Sequence, residues 1–128
     1  MASELFNKGI AIRREVLGSE YVDKSMQNVD EFSMAMQEYA TETAWGMIWS
    51  RPGLPRKTRS LLNIAMLTIM NRQHELKLHI RSSFTNGVTK DEIKEVLLQV
   101  AAYAGVPAGI DGFRLAREAF AEMDAAKK

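Results

Sequence analysis

The sequence predicts an all-α fold of about six helices, in a single domain over residues 1–128. Apolar residues recur at three- and four-residue steps through nearly the whole chain, which is the period of an amphipathic helix. No segment alternates apolar and polar residues long enough to predict a strand. Capping residues and helix-ending Gly and Pro separate the periodic segments. A length of 128 residues is that of one domain.

The first half of the chain predicts two helices with a short helical piece between them. The first helix runs from about Ser3, which can cap it, to Leu17, which is followed by a glycine. The short piece covers residues 20–25. The second helix starts after the capping residue Asp30 and stops near Trp49, because the Arg-Pro-Gly-Leu-Pro run that follows cannot continue a helix.

The second half predicts the remaining helices. One helix covers about residues 56–71, and the chain then either continues or bends into a helical segment at residues 75–85. Thr89 and Glu92 form a capping box that opens the next helix, which stops at a Gly-Val-Pro run. The last helix covers about residues 108–124.

The composition excludes several classes of function. Seventeen basic and 16 acidic residues leave a net charge of +1, which argues against a protein built to bind nucleic acid or anionic lipid. The chain has no cysteine, so disulfides, thiolate metal sites, cysteine nucleophiles and thiol redox chemistry are ruled out.

The apolar segments of the sequence are too short to predict a membrane protein. The longest nearly apolar segments, residues 64–70 and 96–106, fall short of the roughly 20 residues that cross a bilayer. The N-terminal residues lack the basic stretch and apolar run of a secretion signal. We therefore expect a soluble cytoplasmic protein.

The segment Asn71–His79 resembles a zinc-protease helix but has the wrong spacing. That motif needs two histidines four residues apart, so that both face the metal. His74 and His79 are five residues apart, about 140° around a helix. We therefore expect no metal site.

Arg72, Glu75 and His79 are the first candidate site. On a continuous helix they share one face, and residues 61, 65 and 68 extend that face as a largely apolar stripe. A partly buried histidine beside a carboxylate can titrate near neutrality and transfer a proton. The alternative is a solvated ladder of ion pairs, which contributes only a few tenths of a kcal/mol.

The loop at residues 49–59 is the second candidate, because it places four cations around a stiff turn that opens a helix. Arg51 and Arg59 could each clamp a carboxylate through paired hydrogen bonds. The alternative is a solvated basic turn, and nucleic-acid binding is the weakest interpretation because nothing elsewhere extends the patch. Trp45 and Trp49 lie one helical turn apart. They are either core or subunit-contact residues, or part of a ligand pocket.

These segments together resemble the carboxymuconolactone decarboxylase family, within the alkylhydroperoxidase-D-like superfamily. The more specific blocks are Trp-Gly-x-x-Trp-x-Arg-Pro-Gly-Leu at residues 45–54 and Tyr-Ala-Gly-Val-Pro at residues 103–107. Glu75-x-x-x-His79 marks only the superfamily. Its redox branch has cysteines where this chain has Arg72 and Glu75, so hydroperoxide reduction by a dithiol is excluded.

The resemblance implies an all-α homo-oligomer, often a hexamer of three dimers, that needs no cofactor. The implied reaction decarboxylates 4-carboxymuconolactone, a lactone with two carboxylates, to 3-oxoadipate enol-lactone in protocatechuate catabolism by the β-ketoadipate pathway. In that reaction His79 would donate the proton or bind the oxyanion, with Glu75 orienting it. Arg72, Arg51 and Arg59 would bind carboxylate or oxyanion, and Trp45 or Trp49 would form an apolar wall.

Two other classes of function stay open at this point. One is a related superfamily enzyme that acts on another small lactone or carboxylic acid. The other is a non-catalytic helical oligomer whose polar face is structural. The partner in the first two cases is a small molecule, with no role for nucleic acid or membrane.

Overall fold

A computed structural model describes residues 2–127, and these residues form an all-α structure without a strand. The first and last residues of the predicted domain lie outside this described part. The α-helices are α1 (Glu4–Leu17), α2 (Ser19–Gln27), α3 (Glu31–Ala40), α4 (Arg56–Ile69), α5 (Gln73–Ser83), α6 (Lys90–Ala104) and α7 (Val106–Ala126), with a π-helical segment at Thr41–Ile48 and a 3₁₀ turn at Phe84–Asn86.

The chain divides into two compact units, the first ending at Pro55 and the second starting at Arg56. The single domain predicted for residues 1–128 therefore stays a prediction. In the first unit, α1 packs mainly against the π-helical segment, and α2 and α3 flank this pair. The predicted caps are confirmed: Ser3 accepts a hydrogen bond from the backbone of α1, and Asp30 accepts one at the start of α3.

The second predicted helix ends near Trp49 as expected, but its second half is not α-helical. From Thr41 to Ile48 the backbone is a π-helix, with the wider i to i+5 hydrogen-bond pattern. The amide of Trp49 correspondingly bonds to the carbonyl oxygen of Ala44 at 2.9 Å. Apolar periodicity does not distinguish the two helix types, because both return a side chain to the same face after about four residues.

Two glycines let α1 and the π-helical segment approach closely. A Cβ atom on Gly9 would collide with the carbonyl oxygen of Thr41, and one on Gly46 would lie 2.7 Å from the carbonyl oxygen of Leu5. Both obstacles are backbone atoms, which cannot move aside as the end of a side chain can. The glycines therefore set the distance between these two helices.

The second unit is built around an aliphatic core. Helix α5 packs against α4 and α7, and α6 also packs against α4 and α7. The predicted capping box of α6 is present, with both Thr89–Glu92 hydrogen bonds formed. The fully buried side chains include Ile64, Leu76, Ile80, Ile93 and Leu97.

The chain breaks between α4 and α5, so the continuous helix is ruled out and the bend is confirmed. Asn71 has a φ of 57°, a left-handed conformation that ends a helix. Arg72 then takes the capping position before α5. The apolar stripe on α4 consequently does not run into the face that carries His79.

None of the described helices has the length and apolar character needed to cross a bilayer.

Candidate active site

His79 lies in the middle of α5, on a helix that is well packed on both sides of it. Leu76 and Ile80 belong to the core of the second unit, and Leu78 is also buried. His79 itself is partly buried. Its imidazole is thus held by a rigid helix rather than by a loop, which favours a fixed geometry at this position.

Burial lowers the pKa of His79 to about 4, although the negative charge of Glu75 acts in the opposite direction. Desolvation penalises the charged imidazolium, and one partly screened carboxylate does not compensate for this penalty. The expectation that His79 titrates near neutrality is therefore wrong. At neutral pH the imidazole is uncharged, so one ring nitrogen is able to donate a hydrogen bond and the other is able to accept one.

Glu75 and Arg72 are more exposed than the sequence led us to expect. Glu75 stands in the first turn of α5, one turn before His79, where a carboxylate is favoured by the helix dipole. Arg72 is the exposed residue that precedes the helix. The structure therefore brings Glu75 and His79 onto one side of α5 and places Arg72 at its N-terminal end.

Ser82 is a residue of this face that the sequence reasoning missed. Its hydroxyl donates to the backbone oxygen of His79 at 3.3 Å, and the side chain is buried. Glu75, His79 and Ser82 follow the i, i+4, i+7 spacing of one helical face. That spacing was readable in the sequence, but a serine on a helix gives no chemical signal unless its burial is known.

The basic loop is split between the two units. In the first unit Arg51 is exposed on the loop after the π-helical segment. In the second unit Arg59 is partly buried in α4. Lys57 pairs with Glu92 on α6 at 2.9 Å, so part of the predicted cation cluster is neutralised within the fold.

Trp45 and Trp49 stack on each other in the first unit. Their ring centroids are 4.9 Å apart and the rings are 22° from parallel. Both side chains are buried in a cluster with Ile12 and Val16. The core alternative is thereby confirmed for both residues, while a contribution to the wall of a ligand pocket stays a prediction.

Arg13 is a second residue that the sequence reasoning passed over as a site candidate. Its guanidinium donates to Gln37 Oε1 at 3.1 Å and to Ser25 Oγ at 3.5 Å, and burial lowers its pKa. These partners are neutral, and among the described residues no carboxylate forms an ion pair with Arg13. The neighbouring Arg14 instead pairs with Asp23 at 2.6 Å. Arg13 thus joins α1, α2 and α3 through its guanidinium.

A polar groove of about 340 Å³ lies on the other side of α5, against α7. Lys77 and Arg81 both bind Glu122, the latter at 3.1 Å, and Arg114 binds Glu118 at 3.1 Å. The charged side chains that line this groove are thus largely paired with one another.

Within residues 2–127 no three His, Asp or Glu side chains are grouped as metal ligands would be.

Comparison with known proteins decides the family. Residues 35–118 match the Carboxymuconolactone decarboxylase family, across parts of both units. The chain belongs to this family. A 4-carboxymuconolactone decarboxylase of Acinetobacter baylyi is 45% identical over 118 residues, which cover 92% of this chain and 88% of that protein. The resemblance found in the sequence is confirmed.

A second relative has a different substrate in its name. The nitrosuccinic acid decarboxylase of Metarhizium robertsii is 43% identical over 119 residues, covering 93% of this chain and 83% of that protein. An uncharacterized 15.0 kDa protein of Paracoccus denitrificans is 33% identical over 85 residues, covering 65% of this chain and 63% of that protein. Both named relatives are decarboxylases.

Proposed function

We propose that this chain is a carboxy-lyase that converts 4-carboxymuconolactone to 3-oxoadipate enol-lactone in protocatechuate catabolism, the β-ketoadipate pathway. The observation that carries the proposal is the 45% identity to a 4-carboxymuconolactone decarboxylase over 92% of this chain. The residues of the candidate site supply groups of the types that the reaction needs.

The substrate contains its own electron sink. One carboxylate stands on the ring carbon that is conjugated through the double bond to the lactone carbonyl. When this carboxylate leaves as CO₂, the electron pair of the broken carbon–carbon bond moves through the double bond onto the carbonyl oxygen. A proton then adds to the carbon beside the carbonyl and gives the enol-lactone. The protein has to hold a dianion, stabilise the oxyanion and allow one proton to arrive.

His79 fits the oxyanion role best. Because its lowered pKa leaves the imidazole uncharged at neutral pH, its N–H can donate a hydrogen bond to the carbonyl oxygen as negative charge develops there. Of the two roles that the sequence left open for His79, proton donor and oxyanion partner, the lowered pKa favours the second, because little imidazolium is present at neutral pH to act as an acid. The proton that reaches carbon then comes from solvent.

Glu75 is proposed to orient the imidazole from one turn away. Arg72, Arg51 and Arg59 are proposed to bind the carboxylates or the oxyanion, because guanidinium pairs well with both. For Trp45 or Trp49 we propose an apolar wall beside the departing carboxylate. A less solvated carboxylate loses CO₂ more readily, since the transition state spreads its charge.

A second substrate class follows from the 43% identical nitrosuccinic acid decarboxylase. Nitrosuccinic acid is also a small diacid with an electron sink, in this case a nitro group on the same carbon as one of its carboxylates. Loss of CO₂ would place the electron pair on the nitro oxygens. The requirement shared by both substrates is a dianion site with a hydrogen-bond donor for the newly charged oxygen.

The proposal is tested by adding the purified chain to each substrate separately and following CO₂ release, with enol-lactone detected in the first reaction. Turnover of 4-carboxymuconolactone supports the first function, and turnover of nitrosuccinate alone supports the second. No turnover of either, with a rise of Tm on adding other lactones, would point to a related enzyme. No turnover and no Tm response would favour a non-catalytic oligomer.

The other parts of the proposal concern partners and organisation. The partner is a small dicarboxylate lactone, with no role for nucleic acid or membrane, and the chain forms a homo-oligomer, with a hexamer of three dimers as the expected form. We further propose that residues 1–128 act as one domain, since the family match at residues 35–118 includes parts of both units. A cytoplasmic location remains a prediction of the sequence.

A further inference from the structure

The second unit carries an apolar groove that the proposed reaction does not use. The groove lies between α4 and α6, has a volume of about 320 Å³, and is lined chiefly by Leu61, Leu62, Ala65, Ile69, Val96 and Tyr103. None of the described residues that line it is charged. These residues offer no counter-charge to a dianionic substrate, and none of them belongs to the candidate active site.

The surface around this groove is unusually apolar for an exposed face. Leu62, Met66 and Ile69 follow one another on the outer side of α4, and Tyr103 stands at the end of α6. We call these four residues the α4–α6 face, and each is 46–88% exposed. Val106 and Ile110, one turn apart at the start of α7, are also exposed.

The exposed area is large enough for a stable protein interface. Taken together, the exposed fractions of these six side chains correspond to between three and four fully exposed large side chains. This is roughly 600 Å² of apolar area. A typical stable interface buries about 800 Å² on each partner, of which about 60% is apolar. The centre of a protein interface is enriched in aromatic residues and methionine and depleted of charged residues, and this surface has the same composition.

The face has the shape that pairing with itself requires. It carries a concave groove and, on the rim of that groove, the projecting ring of Tyr103, which is 88% exposed. A two-fold axis sets the same patch of two copies against itself, so each projecting group must find a recess on the partner. A groove and a projecting tyrosine on one face meet this condition.

We propose that the α4–α6 face is a two-fold interface in which Tyr103 of each copy inserts into the apolar groove of a second copy of this chain. The inference rests on the homo-oligomer of the proposed function and identifies the surface that would form it. Tyrosine buried at an interface centre is a frequent source of binding energy.

The first experiment is to measure particle mass by light scattering or sedimentation, without substrate. Ile69→Glu and Tyr103→Glu each place a charge in the face, and we expect each to halve the mass of the unaltered protein. Leu98→Glu is the matched control, because Leu98 is also half-exposed and lies on α6 outside the groove. We expect this variant to keep the full mass. Far-UV circular dichroism establishes that each variant is folded.

The second experiment uses the absence of cysteine from the chain. Met66→Cys places one thiol on the α4–α6 face outside the groove lining and keeps Tyr103 in place, so a short bis-maleimide should link two copies of this variant into a dimer. Leu98→Cys should give no dimer under the same conditions. Because these exposed changes leave the core intact, crosslinking decides the question even if a glutamate variant does not fold.

A monomeric unaltered protein would overturn both this interface and the proposed homo-oligomer. An oligomer whose mass is the same in Tyr103→Glu, or whose Leu98→Glu variant falls in mass by the same factor, would overturn the interface alone. Neither result bears on decarboxylation, which is measured separately by CO₂ release.

Discussion

Helix α5 has two polar sides that look alike in the sequence and differ in the structure. On the side facing α7, Lys77 and Arg81 both bind the carboxylate of Glu122, so these charges are paired. On the other side Glu75 is exposed, and His79 is partly buried with a pKa lowered to about 4. Helical spacing shows polar side chains on both sides, but it does not show that Lys77 and Arg81 share a carboxylate on a helix distant in sequence.

Burial, rather than charge pattern, therefore separates the candidate site from the structural ladder on this helix. In the ladder, hydrogen bonds and charges from Lys77 and Arg81 lower the pKa of Glu122, which stabilises the ionised form already present at neutral pH. At His79, burial dominates and keeps the imidazole uncharged. We therefore expect substitutions on the paired side of α5 to leave activity nearly unchanged and substitutions of His79 to lower it.

Substitution of His79 should give the largest effect. We expect His79→Ala to lower kcat by about 10²–10³ with the fold retained, as the loss of one hydrogen-bond donor to an oxyanion does. His79→Gln should retain more activity than His79→Ala, because its amide can still donate. The measurement is the steady-state rate of CO₂ release.

The matched control for that measurement is Lys77→Gln, on the opposite side of the same helix. Its kcat should stay near that of the unaltered chain. If both variants lost activity to the same degree, or if His79→Ala turned over at the original rate, the two sides of α5 would not differ as described.

Acid stability should show the next largest effect. Because burial lowers the pKa of His79 from 6.5 to about 4, the unfolded chain takes up a proton at pH values where the folded chain does not. Stability from this residue is therefore full above pH 6.5 and falls by roughly 3 kcal/mol as the pH drops to 4. Urea titrations of the unaltered chain and of His79→Gln, compared across this range, isolate the contribution. Parallel pH curves would mean that His79 is not buried in solution.

Arg51 should affect binding more than chemistry. Arg51→Ala removes a guanidinium proposed to hold a substrate carboxylate, and we expect KM to rise about tenfold with kcat little changed, as for uniform binding. Arg81→Ala, which removes an arginine from the paired side of α5, should leave KM unchanged. If KM is unaltered in Arg51→Ala, Arg51 does not bind the substrate and belongs to a solvated basic turn.

Glu122 should give the smallest effect. Its pKa is lowered by Lys77 and Arg81, so its contribution to stability is present above its ordinary pKa of 4.5 and is lost as the pH falls below that value. Glu122→Gln should lower Tm slightly at low salt and less at high salt, because exposed ion pairs are screened. A large loss of Tm that is independent of salt would show that the ladder is not a surface feature.

Much of the fold was predictable because it depends on local signals. The capping residues Ser3, Asp30 and Thr89, and the stops at Gly18 and Gly105, are read directly from residue type and spacing. The π-helical segment was not predictable, because its apolar pattern is that of an α-helix. The close packing of this segment against Gly9 is a tertiary contact, which that pattern also does not show.

The candidate site was predictable in its residue types but not in its electrostatics. Glu75 and His79 share one side of α5, as the spacing indicated. The sequence left open whether Asn71 breaks the helix, and therefore which residues continue the site face. It left the partial burial of His79 as one of two alternatives and gave no sign of the burial of Ser82 and Arg13, because burial is determined by helices distant in sequence.

We propose that burial on α5 keeps His79 uncharged at neutral pH, so that it acts through a neutral N–H. The most direct test is an NMR titration of the imidazole resonances, with His79→Gln used to assign the signal. We expect a pKa for His79 well below 6.5, near 4. A pKa at or above 6.5 would contradict it, because His79 would then be a charged or solvent-exposed residue.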